Sequence, residues 1–156
     1  MSIVLHRIDD RLIHGQVVVG WGRPLRVEFI ALVDDTVAAS EWEQELYRMG
    51  VPPEMTVYFA DVAVAEREHP KWESDSRAGI VLTADIDSMS RLAASAPVTE
   101  VNLGGIHHAP GRTQRLRYVF LSPAEESALR AMAEKGVRIS AQDVPGGKPV
   151  ELEDLL

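Results

Sequence analysis

The feature that most constrains this 156-residue chain is an alternation of short, β-branched apolar runs with stretches of helical periodicity. Runs at Ile3–Arg7, Val27–Val33, Met55–Phe59, Gly79–Thr83, Glu100–Leu103, Tyr118–Leu121 and Val137–Ala141 read as strands. Between most of them lie helical signals. Ala38, Trp42, Leu46 and Met49 fall on one helical face. Asp61 and Asp85 stand at N-cap positions for helices expected through about Glu68 and Ser95, and Ile86, Met89 and Ala93 line one face of the second. The clearest helix start is Ser122-Pro123-Ala124-Glu125, where serine caps, proline suits the first turn and Glu125 sits at the capping-box position. Ala128, Leu129, Met132 and Ala133 form its buried stripe, and Gly136 ends it. Strands separated by helices predict an α/β fold, an open, mostly parallel, twisted sheet of about six to seven strands with helices on both faces. No repeat, low-complexity segment or linker divides residues 1–156, so one domain is expected.

Composition excludes several function classes. Apolar residues at 46% and charged residues at 26% fit a globular chain. Without cysteine there is no disulfide framework and no thiolate metal site. No apolar run is long enough to span a bilayer, and Met1 to Leu5 lacks the pattern of a signal peptide, so a cytoplasmic location is expected. A net charge of −8 argues against a general nucleic-acid binder. The charges are uneven, however. Arginines gather at positions 7, 11, 23 and 26 and again at Arg112, Arg115 and Arg117, while acids dominate Glu41–Glu45 and the C-terminal tail. A basic patch on an acidic chain suits docking of a phosphorylated acidic partner, and scattered solvated arginines are the plain alternative. The acidic Glu41–Glu45 helix with Tyr47 on its surface points to a homodimer.

Open parallel sheets bind ligands at the carboxyl ends of their strands. Here the first strand runs into Arg7-Ile8-Asp9-Asp10-Arg11-Leu12-Ile13-His14-Gly15-Gln16, with Trp21 close behind. A neutral imidazole is a competent nucleophile near pH 7, and phosphoryl transfer needs little more than in-line positioning and positive charge around the moving oxygens. His14 is the candidate carrier. Arg11, three residues earlier, and Arg7, at the strand end, offer paired donors that match phosphate oxygens. Gly15 lets backbone approach the imidazole, and the N–H groups of Ile13 to Gln16 would complete a cradle if a helix starts there. Asp9 or Asp10 would fix the imidazole tautomer or brace the loop through backbone amides, a choice the residues leave open. The bland alternative is a charged surface turn.

Two further strand ends carry candidates. After Glu100–Leu103 come Gly104-Gly105-Ile106-His107-His108. The paired glycines read either as a turn whose amides face an anion or as a plain strand-end turn. No Gly-Lys-Ser/Thr follows, so this is not a nucleotide P-loop. Neighbouring histidines on a strand point to opposite faces and nothing nearby supplies more ligands, so no metal is assigned. Whether they line the site is open. Asp34 and Asp35 read as a helix cap before a Mg²⁺ site. Trp21, Trp42 and Trp72 are assigned to core or interface, His6 to the core, and His69 beside Pro70 to a helix-end surface.

The stretch from Arg7 to Val17 followed by Trp21 resembles the active-site loop of the IIB subunits of the mannose/fructose/sorbose family of the bacterial phosphoenolpyruvate-dependent sugar phosphotransferase system. Val33-Asp34-Asp35, Val101-Asn102-Leu103-Gly104-Gly105, Lys135-Gly136-Val137 and Val144-Pro145 follow in the family's order. The resemblance implies that His14 accepts a phosphoryl group from a phosphohistidine of a IIA subunit and passes it to a sugar bound by membrane subunits IIC and IID. It implies a catalytic role for Arg11 and phosphate contacts from Arg7, Asp10, Gly15, Gln16, Gly104 and Gly105. It implies no cofactor, and a cytoplasmic protein held at the inner membrane through IIC and IID. A regulatory phosphohistidine protein that reports phosphorylation state without sugar transfer is the alternative. His107 and His108 depart from the family's pattern, and the sugar is not encoded here.

Overall fold

Seven strands build the central sheet of the computed structural model, which describes residues 2–156. In chain order the strands are β1 (Ile3–Ile8), β2 (Phe29–Val33), β3 (Thr56–Ala60), β4 (Gly79–Thr83), β5 (Glu100–Leu103), β6 (Thr113–Leu116), β7 (Val119–Leu121), β8 (Arg138–Ala141) and β9 (Val150–Glu151). The main sheet has the order β3-β2-β4-β1-β5-β8-β9. All its pairings are parallel except β9 on β8. The expected α/β architecture is therefore present, with two differences. The strand expected at Tyr118–Leu121 leaves the main sheet and pairs with β6 in a separate antiparallel hairpin. Its partner reads Thr-Gln-Arg-Leu and is mostly exposed, so no apolar run announces it. β9 has two residues, too few to carry a period.

The helices are α1 (Asp35–Ala38), α2 (Glu41–Met49), α3 (Val62–Glu73), α4 (Ile86–Ser95), α5 (Pro123–Glu134) and α6 (Leu152–Leu155). Their starts follow the side chains that satisfy free amides. Asp34, Ser40, Asp61 and Asp85 each accept from the backbone three residues on. Ser122 and Glu125 form the reciprocal capping box expected for α5, and Gly136, at φ +95°, follows its last turn. Alternate residues of the strands face opposite layers. Phe29, Ala31, Val33 and Val81 pack with α3, α4, α5 and α6, whereas Ile30, Leu32, Ile80 and Leu82 pack with Val17, Val18, Trp21, Val37 and Tyr47. Helices thus cover both faces.

Two helices depart from expectation. The stripe of Trp42, Leu46 and Met49 on α2 faces solvent, and no residue of α2 is fully buried. Trp21 and Trp72 are core residues; Trp42 is not. α3 continues past Glu68 through Pro70 to Glu73, which carries His69 into the interior instead of leaving it at a surface helix end. There His69 Nε2 lies 3.0 Å from His6 Nε2, and the two rings stack with centroids 5.3 Å apart.

This pair makes stability depend on acid. Burial, and secondarily the charge of His69, push His6 down to about 3. Burial also lowers His69, against the pull of Glu73. An unfolded histidine binds its proton below about pH 6.5, which the native pair refuses. Stability is therefore fully present above the unfolded value and falls as pH drops from about 6.5 toward 3, by up to about 1.4 kcal/mol per unit for His6. Urea midpoints measured between pH 7.5 and 5 should fall steadily, and His6→Gln should flatten that slope.

Candidate functional site

The carboxyl end of β1, the strand flanked by β4 and β5, carries the site. The chain leaves the sheet at Asp9, turns through a Leu12 N–H to Asp9 carbonyl bond of 2.9 Å, and holds Leu12 in the left-handed region at φ +56°. Such a conformation is costly for leucine and persists because surrounding contacts fix it. Leu12 and Ile13 are buried in the second core layer. The chain then enters a π-helical turn, Gln16–Trp21, opened by a Val18 N–H to His14 carbonyl bond of 3.0 Å. Single π turns recur at functional sites because the extra residue re-aims a side chain.

Asp9 is the centre of the loop. It has no exposed surface and accepts from Arg11 three times, through the backbone N–H at 3.1 Å, Nε at 3.0 Å and Nη2 at 3.0 Å. Arg7 Nη2 approaches it at 3.3 Å. Burial alone would raise the Asp9 pKa, but the hydrogen bonds of Arg11 and the charge of Arg7 hold it below the ordinary carboxylate range. Arg7 is itself completely buried. Its guanidinium donates to Asn102 Oδ1 on β5 and to the carbonyls of Gln142 (2.9 Å) and Asp143 (3.3 Å) after β8, and lies 4.8 Å from the centre of the Trp21 ring. Trp21 Nε1 donates to the same Asp143 carbonyl at 3.1 Å. Three strand ends are thereby tied to one ion cluster.

His14 sits at the rim with 21% of its side chain exposed. Nδ1 lies 2.7 Å from the Leu12 carbonyl, which can only accept, so Nδ1 donates there. Nε2 is covered, has no hydrogen-bond partner, and lies 3.9 Å from Asp9 Oδ2. Arg11, 37% exposed, also donates to Gln16 Oε1 at 2.7 Å, and Gln16 Nε2 donates to Asp143 Oδ1 at 2.9 Å.

Asp10 and Asp9 have separate partners. The Asp10 N–H donates to the Gly105 carbonyl at 2.8 Å, and its carboxylate accepts from the His107 N–H at 2.8 Å and from Nδ1 at 2.7 Å. Arg112 donates to the His107 carbonyl and pairs through two bonds of 2.9 Å with Glu125 at the start of α5. His107 is thus joined to the loop, whereas His108 packs edge-on against Phe120. The tautomer of His14 is set by a backbone carbonyl, not by either aspartate.

The glycines divide by role. Gly104 gives its N–H to the Ile8 carbonyl at 2.7 Å. A Cβ there would come within 2.5 Å of Arg7 Cζ and 2.6 Å of Asp9 Oδ2. Gly105 lies under Arg11, 3.3 Å from Nε by the same measure. These two form the floor of the ion cluster. Gly15 has ordinary helical angles, and a Cβ there would meet nothing within 4 Å.

Other candidates lie elsewhere. Arg23 and Arg26 line a groove near the amino ends of β2 and β3. Arg115 pairs with Glu126, and Arg117, nearly all exposed, lies 3.7 Å from Asp143. Asp34 caps α1, and Asp35 accepts from the Val62 N–H and Arg91. Tyr47 is half-buried, so Trp42 is the exposed aromatic of α2. Sequence reasoning passed over Gln142 and Asp143. They follow β8 at its carboxyl end, the same criterion that singled out the loops after β1 and β5.

The two glycine roles are separable. Gly104→Ala should destabilise the protein by about 3 kcal/mol, because overpacking here also displaces a buried ion cluster. Gly15→Ala should leave the melting temperature unchanged or slightly higher. Thermal unfolding of the two variants checks both.

Residues 3–156 match the family model described as PTS system sorbose subfamily IIB component. The chain is 31% identical to the sorbose-specific EIIB component of Klebsiella pneumoniae, over 99% of this chain and 94% of that protein. It is also 31% identical to the mannose-specific EIIAB component of Escherichia coli (strain K12), over its whole length but only 49% of that protein. The crystal structure of the IIBSor domain of the Klebsiella pneumoniae sorbose permease superposes with a TM-score of 0.89 at 28% identity, covering 99% of this chain and 96% of that one. The N-acetylgalactosamine-specific IIB component 1 of Escherichia coli gives 0.89 at 26%, with 96% and 98% covered. A family model matched from residue 3 to residue 156, and a relative 31% identical along nearly the whole length of both chains, decide the family: the chain belongs to the sorbose subfamily of phosphotransferase-system IIB components.

Proposed function

We propose that His14 carries the phosphoryl group between a phosphohistidine of a IIA subunit and a sugar bound by the membrane subunits IIC and IID. The observation that carries this reading is an imidazole whose unpartnered Nε2 lies 3.9 Å from Asp9 Oδ2, the same carboxylate that locks the orientation of Arg11, a guanidinium about one-third open to solvent. A ring nitrogen of His14 attacks phosphorus, its bond to the donor imidazole breaks, and the donor nitrogen regains its lone pair. Transfer onward reverses the roles: a sugar hydroxyl attacks phosphorus, its proton passes to solvent, and the bond to the His14 nitrogen breaks. Arg11 stabilises charge on the equatorial oxygens, and its fork is pre-set by the Asp9 bonds.

In the resting loop Nδ1 is bonded to the Leu12 carbonyl and Nε2 faces a carboxylate that repels an incoming phosphoryl group. Acceptance therefore requires the imidazole to turn away from this position. The open space beside Gly15 accommodates that movement and the donor's approach. Arg7, Gly104 and Gly105 support the reaction from beneath by holding Asp9 and Arg11 in place, and Gln16 and Asp10 fix the two sides of the loop. A cytoplasmic site of action, at the inner face of the membrane, follows from partners of this kind.

Incubation with phosphorylated IIA should give a phosphoprotein that is labile in acid and stable in alkali. His14→Ala should abolish labelling with the melting temperature preserved; full labelling of that variant removes the assignment. Arg11→Lys should slow single-turnover transfer by about tenfold or more, equivalent to at least ~1.4 kcal/mol, because an ammonium cannot reproduce the planar fork.

A further inference from the structure

Trp42, Leu46 and Met49 on α2 are 68%, 54% and 81% exposed, and their spacing aligns them in one outward stripe. The helix is fixed in that orientation. Gln44 Nε2 donates to the carbonyls of Val37 (3.1 Å) and Ala38 (3.2 Å), Tyr47 packs into the second core layer, and the Arg48 guanidinium lies 5.0 Å from the centre of the Phe59 ring. No rotation that keeps these contacts hides the stripe. Its lower end adjoins the transfer loop, since a Cβ on Gly50, next to Met49, would sit 4.0 Å from Ile13 Cγ2. Beyond Gly50 the surface continues into the groove lined by Pro52, Met55 and the exposed Val19.

We infer that this stripe docks the cytoplasmic face of the membrane-embedded acceptor subunits; the inference rests on the phosphocarrier reading above. Three observations choose the occupant. The stripe ends beside the loop that carries His14, so a partner covering that loop reaches α2. The helix bears Glu41, Glu43 and Glu45 against one basic residue, Arg48, in a chain of net charge −8. A second copy would set this acidic rim against itself across a two-fold axis, and a donor surface presenting a phosphoryl dianion meets the same repulsion. Cytoplasmic loops of membrane proteins carry an excess of lysine and arginine, which complements the rim while their apolar residues cover Trp42 and Leu46. Trp is also the side chain most often found to dominate such contacts.

The test is co-sedimentation of the unphosphorylated protein with inverted vesicles that contain or lack IIC and IID, alongside single-turnover labelling by phosphorylated IIA. Trp42→Ala with Leu46→Ala should weaken binding to the subunit-bearing vesicles by about tenfold or more while labelling of His14 is unchanged. Glu41→Gln with Glu45→Gln should weaken binding at low salt only. Equal binding by variant and wild type overturns the proposal. A fall in labelling instead of in vesicle binding assigns the stripe to the donor, and a wild-type dimer that the variant converts to monomer assigns it to a second copy; either also overturns it. The binding arm needs no phosphoryl group, so loss of docking and failure of the carrier reading are read apart.

Discussion

The buried carboxylate of Asp9 is the constraint on which the site depends. A charge without solvent must be compensated, and here two guanidinium groups do so, both reaching Oδ2. Arg7, equally buried, is compensated in turn by Asn102 and by two carbonyls beyond β8. None of these groups is satisfied alone, so the cluster exists only when β1, β5 and β8 end at the same level. Removing one partner strands a buried charge, which is far costlier than losing a surface ion pair. Flatness beneath the cluster is equally necessary. Gly104 supplies it, because any side chain there would enter the space of Arg7 and Asp9.

Rigidity beneath contrasts with adaptability above. Arg11 is held by Asp9 on one edge and reaches solvent on the other, and His14 is retained by a single bond to a main-chain carbonyl. That arrangement suits a group that must be fixed enough to meet a donor in line yet free to turn toward an acceptor. The loop is also clamped laterally, through Asp10 to His107 and on through Arg112 to the first turn of α5. Backbone strain at Leu12 is sustained by burial of its side chain in the second core layer.

Much of this was legible in the sequence because local chemistry and fold agreed. Asp34, Asp61, Asp85 and Ser122 announce helix starts, and the main parallel strands show as apolar β-branched runs. The histidine loop stood out because residues of its kind sit where parallel sheets bind ligands. What escaped was non-local. Sequence pattern distinguishes an arginine that braces from one that protrudes only when its partners are known, and the Asn102, Gln142 and Asp143 partners of Arg7 lie 95 to 136 residues away. His69 was misplaced because Pro70 resembles a helix stop, whereas packing of Trp72 carries the helix through. The α2 stripe has the period of a core-facing helix, and period alone does not say which side the sheet lies on.

The reach of Arg7 has a consequence for how the protein is made. Its contacts with Asn102, Gln142 and Asp143 close some of the longest loops in the chain, and such contacts form late because chain entropy opposes them until the intervening segments have folded. During synthesis the first strand and its histidine emerge well before the carbonyls that receive Arg7, which lie 135 and 136 residues further along the chain. A nascent or truncated chain therefore displays the histidine loop without the charge cluster that orders it. Order in the histidine loop is therefore acquired only once the chain has been made through Asp143.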